Sequence, residues 1–511
     1  MAELAKRLKT NNEGQRGFFK WVERVGNKIP HPFLLFIYLI FILCIATAVL
    51  SIFHVSVTDP TNNEQVFVKN LLSAEGIQWI LPNVIKNFST FLPLGYILAL
   101  VLALGLAEKV GLLETVIRKM SLKVSAKYAS YLVVFVAFFS HVSSDAAFVI
   151  MPPLGALIFR AVGRNPIAGL LAAIAGVGSG FTANLLIVTT DVLLSGISSE
   201  VSTSINSNIS VSVVDNWFFM GFSVILLTVI IALVTDKFVE PRLGKYKQED
   251  NVKLEKLTDQ QNKALRLTGI VAVIFIAVVA LLVVPKGALL RDPETGSVIP
   301  SPFMSGIVPI IMFFFFTVAL TYGIKVGVIK NQNDIPKLLT DPMKNMAGFI
   351  VMIFPLSQFV AFFNWSNTGK FIAISITDLL EKLNMTGAPV FIGLMFLSGL
   401  LSMFIASGSA IWSVLAPVFI PMFMMLGYHP AFAQIVFRIA DSSVLPVAIV
   451  SPFVPLFLGY LQEYKKDAKL GTYYSLILPY PIVIFIAWTL LLVVWYFLGL
   501  PIGPGVFPRV H

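Results

Sequence analysis

Two stretches of this chain, 129–198 and 387–462, are apolar enough for a membrane interior yet are broken repeatedly by Gly, Pro, Ser and Asp. Irregular backbone at membrane depth survives only when it is buried in protein or lines a wet cavity. A chain carrying two such stretches therefore needs a large helical scaffold around them. That scaffold is legible as unbroken apolar runs at 32–54, 88–108, 216–236, 267–284, 305–323, 347–366 and 473–499. Each is near the roughly 20 residues that a helix needs to cross a bilayer. Composition agrees: of 511 residues, 57% are hydrophobic and 13% charged, against about 25% charged in soluble domains. Too little polar surface remains to cover a soluble enzyme or a nucleic-acid binder of this length.

The net charge of +10 is distributed, not pooled. Lys and Arg cluster in the N-terminal 31 residues, in 237–266, in 324–346, after 88–108 (Arg118, Lys119, Lys123, Lys127) and at Lys465, Lys466 and Lys469. Basic connections stay in the cytoplasm, which leaves the basic-poor stretches 55–85, 199–215 and 285–304 outside. The first apolar run is expected to be a retained anchor, since no small-residue cleavage pattern follows it. The single cysteine, Cys44, excludes an intrachain disulfide framework.

Charge parity then constrains the broken stretches. From residue 128, inside, to residue 199, outside, the chain crosses an odd number of times. Arg160 and Arg164 mark a return to the cytoplasm partway, which favours a re-entrant hairpin plus one crossing. The stretch 387–462 runs the opposite way, from outside to the basic turn at Lys465. The expected fold is an all-α polytopic membrane protein, an inverted-repeat secondary transporter with about nine transmembrane helices, two re-entrant hairpins and an external C-terminus. Its units are a cytoplasmic segment 1–31, first scaffold helices 32–128, transport repeat 1 at 129–198, scaffold helices 199–386 with the cytoplasmic loop 237–266, transport repeat 2 at 387–462, and a last helix with the C-terminus in 463–511.

The two broken stretches echo each other at an offset of 264. Ser143 matches Ser407, Ala146 matches Ala410, Pro153 matches Pro417 and Phe159 matches Phe423. Gly163, Pro166 and Ser179 likewise match Gly427, Pro430 and Ser443. An upstream echo at 258 joins Lys86 and Asn87 to Lys344 and Asn345. Inverted repeats with discontinuous helices place a transport site near the midplane. The plainer alternative is that Gly and Pro merely kink packed helices.

Charges inside these stretches cost roughly 2.5–3.5 kcal/mol or more each at a helix centre, so each needs a reason. Asp145, Asp191, Arg438 and Asp441 stand out. Arg438 and Asp441, three apart, share a helix face and are expected to pair; structural glue is the alternative. Ser442, Ser443 and Pro446 suggest unwound backbone whose oxygens suit a sodium ion near Asp441, while the planar fork of Arg438 suits a carboxylate. Asp191, with Asn184, Thr189 and Thr190 nearby, is expected to lack a cation partner and to carry a proton, or else simply to reach external water. The tips around Ser143, Ser144 and Asp145 and around Ser407 and Gly408 start helices, whose free N–H groups favour anions, although capping is their commoner role. Trp412 is a candidate to stack on an aromatic substrate, or an interface anchor. No nucleotide-binding P-loop, zincin or nucleophile-elbow motif is present, and the five histidines show no ligand spacing, so no enzyme and no cofactor is expected beyond a coupling cation, Na+ or H+.

The segments AFFSHVSSDAAFVIMPP, GSGFTANLLIVTTDVLLSGIS, FIASGSAIWSVLAP and FRIADSSVLP resemble the p-aminobenzoyl-glutamate transporter (AbgT) family, and the similarity extends from VERVGNKIPHPFLLF to LGLPIGPG. The resemblance implies a multi-pass homodimer of the bacterial inner membrane, with nine helices and two hairpins per protomer. It implies ion-coupled symport of p-aminobenzoyl-glutamate, a folate catabolite and small aromatic carboxylate, with membrane lipid and no nucleic acid as partner. Members that export p-aminobenzoate and sulfonamide antimetabolites make export the alternative; a membrane-embedded enzyme or a channel is more remote. The family's functional positions fall on Asp191, Ser409, Trp412, Arg438 and Asp441. One departure is Ile449, where the family tends to carry Pro, with Pro446 and Pro452 on either side.

Overall fold

A computed structural model of the protein describes residues 32–58, 64–121, 125–143, 146–244, 256–299, 301–382, 387–405, 407–448, 451 and 453–510. It is almost wholly helical. The two strands among the described residues, β1 (Ser56–Thr58) and β2 (Gln65–Phe67), pair antiparallel with Ser56 opposite Phe67.

The chain opens with α1 (Pro32–Ile52), whose 21 residues span about 31 Å, the thickness of a bilayer's hydrocarbon core. After the two strands come α2 (Ala74–Ser89), α3 (Leu92–Lys109) and α4 (Leu112–Ser121). The apolar run expected at 88–108 is α3, and α2 precedes it after a break at Thr90 and Phe91. α2 escapes a hydropathy reading because it is amphipathic, with Glu75, Gln78 and Lys86 among its apolar residues.

The first broken stretch folds as α5 (Ala129–Ser140), α6 (Ala146–Ala161), α7 (Pro166–Gly180) and α8 (Thr189–Ile205). α9 (Trp217–Val234) continues through a π turn to Leu243. Then follow α10 (Asp259–Val283), α11 (Ile307–Val326), α12 (Asp334–Asn345), α13 (Ala347–Trp365) and α14 (Thr368–Lys382). Thr258 caps α10 through a reciprocal pair with Gln261, satisfying two N–H groups that a helix start leaves open. The second broken stretch folds as α15 (Ala388–Ser402), α16 (Gly408–Met425), α17 (Pro430–Val444) and α18 (Phe453–Tyr464), before α19 (Leu470–Ile477) and α20 (Pro479–Phe497).

Seven helices among the described residues are long and apolar enough to cross a membrane, and five further apolar helices of 10–17 residues include α5, α6 and α7. The latter are too short to span alone, whereas α16 at the second tip, with 18 residues, is among the seven. The internal echo reaches the backbone: α7 and α17 have 15 residues each, and both their first and their last residues lie 264 apart. Both start with a capping side chain followed by Pro, Asn165–Pro166 and His429–Pro430; the capping oxygen or nitrogen takes an N–H, and Pro wastes none.

The core lies around these repeats. α7 and α17 are buried along nearly their whole length, whereas α10 exposes Val273 and Leu281 and α1 exposes Phe41 and Ile45, as lipid-facing helices do.

Candidate functional site

The site forms where the two broken helices end against each other. Gly178 of α7 lies so close to Pro446 that a Cβ would sit 2.5 Å from its ring. Just beyond α7, the Thr182 hydroxyl donates to the Arg438 carbonyl at 3.1 Å and lies 2.6 Å from the Ser442 hydroxyl. The Phe181 ring meets Gly408 at the start of α16. Contacts at three successive points thus bring the break after α7, the end of α17 and the second hairpin tip together.

Arg438 is fully buried, and its Nη2 donates to Asp191 Oδ1 in a direct ion pair. Its Nη1 donates to Asn216 Oδ1 at 3.2 Å, and Asn216 is fixed by the Ala431 carbonyl at 2.9 Å. Asp191 also caps its own helix, its Oδ2 accepting the Val188 N–H at 2.8 Å. The expected pairing of Arg438 with Asp441 is therefore corrected. The two do share a turn of α17, but the long arginine side chain reaches α8, 247 residues away in sequence. The expectation that Asp191 lacks a cation partner falls with it. So does the alternative that Asp191 merely reaches outside water, because it is 5% exposed and paired.

Asp441 turns the other way. Its Oδ1 accepts the Ser402 hydroxyl at 2.7 Å, while its Oδ2 is buried with no hydrogen bond among the described residues. That free oxygen faces the second tip, where a Cβ on Gly408 would lie 2.7 Å from it. Ser407 caps α16 by accepting the Ala410 N–H, and its hydroxyl is 3.2 Å from that of Ser409. A carboxylate oxygen, hydroxyls and the start of a helix thus meet in one place. Buried polar groups are nearly always paired, so this orphan oxygen marks a place where something else can bind.

Other buried polar atoms of these segments are open. Both side-chain atoms of Asn184, in the segment between α7 and α8, have no partner among the described residues, and neither do Arg438 Nε and Ser179 Oγ. The expected unwound backbone at Ser442 and Ser443 is corrected, since both lie within α17, where Ser443, the counterpart of Ser179, bonds the Ile439 carbonyl of its own helix. Trp412 is fully buried: its ring stacks on Phe437 at 4.9 Å and its Nε1 donates to Ser198, which donates to Gln434. Stacking of Trp412 on a substrate is corrected to this internal role, since the ring already has its partner. Ser143 closes the turn His141–Ser143 at the first tip; Ser144, Asp145 and Ile449 lie outside the described residues. Among the described residues no group of three or more His, Cys, Asp and Glu is placed to hold a metal.

Asn216, Ser402 and Thr182 are missed by sequence reasoning. Each is a single polar residue in or beside an apolar run, and only its unexplained burial cost could have drawn attention to it.

Residues 17–510 match the AbgT putative transporter family. The chain is 64% identical over 492 residues to the p-aminobenzoyl-glutamate transport protein of Escherichia coli (strain K12), covering 96% of this chain and 97% of that one. Among solved structures it is similar to the Alcanivorax borkumensis YdaH transporter, described as having an unusual topology, at 35% identity and a TM-score of 0.87 over 93% of this chain and 100% of that one. It is similar also to Neisseria gonorrhoeae MtrF, described within a class of antimetabolite efflux pumps, at 37% identity and a TM-score of 0.89 over 96% and 100%. A polytopic helical protein with its buried charges gathered at two broken helices, matched along nearly its whole length by transporters, is no enzyme: the chain belongs to the AbgT transporter family.

Proposed function

We propose that the protein is an ion-coupled secondary transporter that imports p-aminobenzoyl-glutamate across the bacterial inner membrane. Arg438 carries this reading. A buried guanidinium that keeps an unused Nε among the described residues can take a substrate carboxylate by exchanging part of its contact with Asp191. The similarity to a relative named for that solute supports the choice of substrate. The basic face, with the connection 237–266, lies in the cytoplasm together with the N-terminus, and the C-terminus lies in the periplasm. The 264-residue echo then relates two repeats of opposite orientation.

Coupling is assigned to the second tip. The free Asp441 oxygen, with Ser407, Ser409, Ser442 and Ser443 close in sequence or space, suits Na+ or H+; oxygen donors are what a hard cation takes. Asp191 holds Arg438 while the site is empty and is released when a carboxylate binds, free then to take a proton. Trp412 positions α16 against α8 through Ser198. Two protomers associate in the lipid bilayer through apolar faces of the scaffold.

Uptake of the labelled solute into proteoliposomes with imposed sodium or proton gradients tests the reading. Uptake that follows one gradient and disappears in Arg438→Ala supports it; full-rate uptake in Arg438→Ala overturns it. Asp441→Asn is expected to raise the coupling-cation concentration needed for half-maximal uptake about tenfold, because a neutral amide replaces the charged ligand. The similarity to an antimetabolite efflux protein favours export as the second reading. Lower sulfonamide accumulation in cells that carry the protein than in cells that lack it would decide for it.

A further inference from the structure

A cavity of about 470 Å³ opens beside the site, on the face opposite the basic connections. One part of the lining is α8, through Ser195 and Ser199; another is Ser301 and Ser305, just before α11, with Val308 in its first turn. Asp215 and His429 complete it, with the C-terminal segment at 504–506. Its size falls within the range of small-molecule sites, roughly 300–1,000 Å³.

The cavity stops one step short of Arg438 on two sides. Ser195 lies one helical turn after Asp191, and Asp215 immediately precedes Asn216, which bonds Arg438. An occupant of the cavity therefore lies against the parts that hold the buried ion pair.

The lining chemistry is one-sided. It contains several serine hydroxyls and a buried carboxylate, but no Lys or Arg among the described residues. Asp215 is 4% exposed; its Oδ2 accepts the Ser212 N–H at 2.9 Å, and its Oδ1 has no hydrogen bond among the described residues. The carboxylate is also held rigidly. A Cβ on Gly503 would lie 2.4 Å from the Asp215 carbonyl oxygen, and the next residue, Asn216, is tied to Ala431 and Arg438. A fixed carboxylate with a free oxygen is an acceptor awaiting a donor. The anionic end of the solute finds no counter-charge here; its ring amine finds this acceptor.

We propose that the cavity is an outer binding site that selects solutes by a primary arylamine, which donates to Asp215 before the carboxylate end engages Arg438. The proposal rests on the transport reading above and adds a second site to it, with a separate recognition chemistry. Leaving a buried acceptor without its donor changes affinity about tenfold or more.

The test compares p-aminobenzoyl-glutamate with benzoyl-glutamate, which lacks the amine, in the full-length protein. Asp215→Asn keeps an oxygen for the Ser212 N–H and presents an NH2, a donor, to the cavity. The wild type is expected to show a KM about tenfold lower for the amine-bearing solute, and Asp215→Asn to bring the ratio close to one. A ratio unchanged by Asp215→Asn overturns the proposal, as does a wild-type ratio already close to one. Should Asp215→Asn fail to fold, Ser305→Trp fills the cavity from another part of its lining; external KM must then rise for both solutes, and an unchanged KM overturns the proposal. Titration calorimetry of both solutes on the detergent-solubilised protein reads the amine preference without transport. Loss of uptake with the preference intact therefore faults the transport reading, and uptake without the preference faults the outer site.

Discussion

α7 and α17 lie 264 residues apart with the same length and a capped Pro start, yet they carry opposite kinds of residue. At the positions where α17 carries Gln434, Arg438 and Asp441, α7 carries Leu170, Ile174 and Val177. α7 instead carries glycines that its neighbours press against. A Cβ on Gly169 would lie 2.3 Å from the Gly155 carbonyl oxygen, and one on Gly176 would lie 2.8 Å from Ala137. Of these two matched helices, one is a close-packed seat and the other carries the buried charge. The seat still matters to the chemistry, because its broken end supplies Thr182 and Asn184, and the helix after it supplies Asp191. A transport site at a repeat interface needs only one charged arm, since a second set of buried charges would add desolvation without adding recognition.

The largest expected effect attacks the charged arm. Arg438→Ala leaves Asp191 buried and unpaired, a loss of about 3–5 kcal/mol, and should lower the melting temperature and abolish uptake. Adding Asp191→Ala should restore much of the thermal stability without restoring uptake. A double variant as unstable as the single would show that the pair is not what Arg438 satisfies.

Next comes the contact between the second tip and α17. Gly408→Ala drives a methyl group against the free Asp441 oxygen and the Phe181 ring, and is expected to slow uptake about tenfold, a shift of about 1.4 kcal/mol. Gly459→Ala in α18, with nothing within 4 Å of the added Cβ, should leave both uptake and melting unchanged. Equal effects at the two glycines would break the distinction.

A pH effect follows at the cavity lined by Asp215. Burial pushes the Asp215 carboxyl up to about 7, with the Ser212 N–H pulling the other way. The folded state thus holds this proton more tightly than the unfolded one, and the stability it contributes is lost as pH rises from about 4 to 7, by at most about 1.4 kcal/mol per pH unit. Burial lowers His429, which lines the same cavity, to about 4; its contribution runs oppositely and is lost as pH falls below about 6.5. The two slopes oppose one another between about pH 4 and 6.5. Asp215→Asn should therefore make the melting temperature climb more steeply with pH across that window than it does in the wild type. Parallel pH profiles for the two proteins would contradict that sign.

The smallest effect belongs to Trp412→Phe. It keeps the stack on Phe437 and removes the N–H to Ser198, so stability should fall by about 1 kcal/mol with little change in the KM ratio between ring-substituted solutes. A large change in that ratio would return Trp412 to direct contact with substrate.

Much of this molecule was legible from its linear order. Membrane spans depend on hydropathy along one helix, and the broken stretches announce themselves by Gly, Pro and Ser inside apolar runs. The repeat is a fixed offset, and the buried charges are conspicuous because so few polar residues lie around them. These features are local, so spacing reports them. What spacing cannot report is which distant groups meet. Arg438 and Asp441 are near neighbours in sequence, and local reasoning paired them, yet a side chain as long as arginine's joins whichever carboxylate the packing brings within reach. Tertiary structure alone decided that Arg438 bonds Asp191 on α8, that Asp441 keeps one oxygen free toward Gly408, and that Trp412 is covered by Phe437. The close approach of two broken helices sets those outcomes, and it depends on glycines whose missing side chains are felt only when another helix arrives.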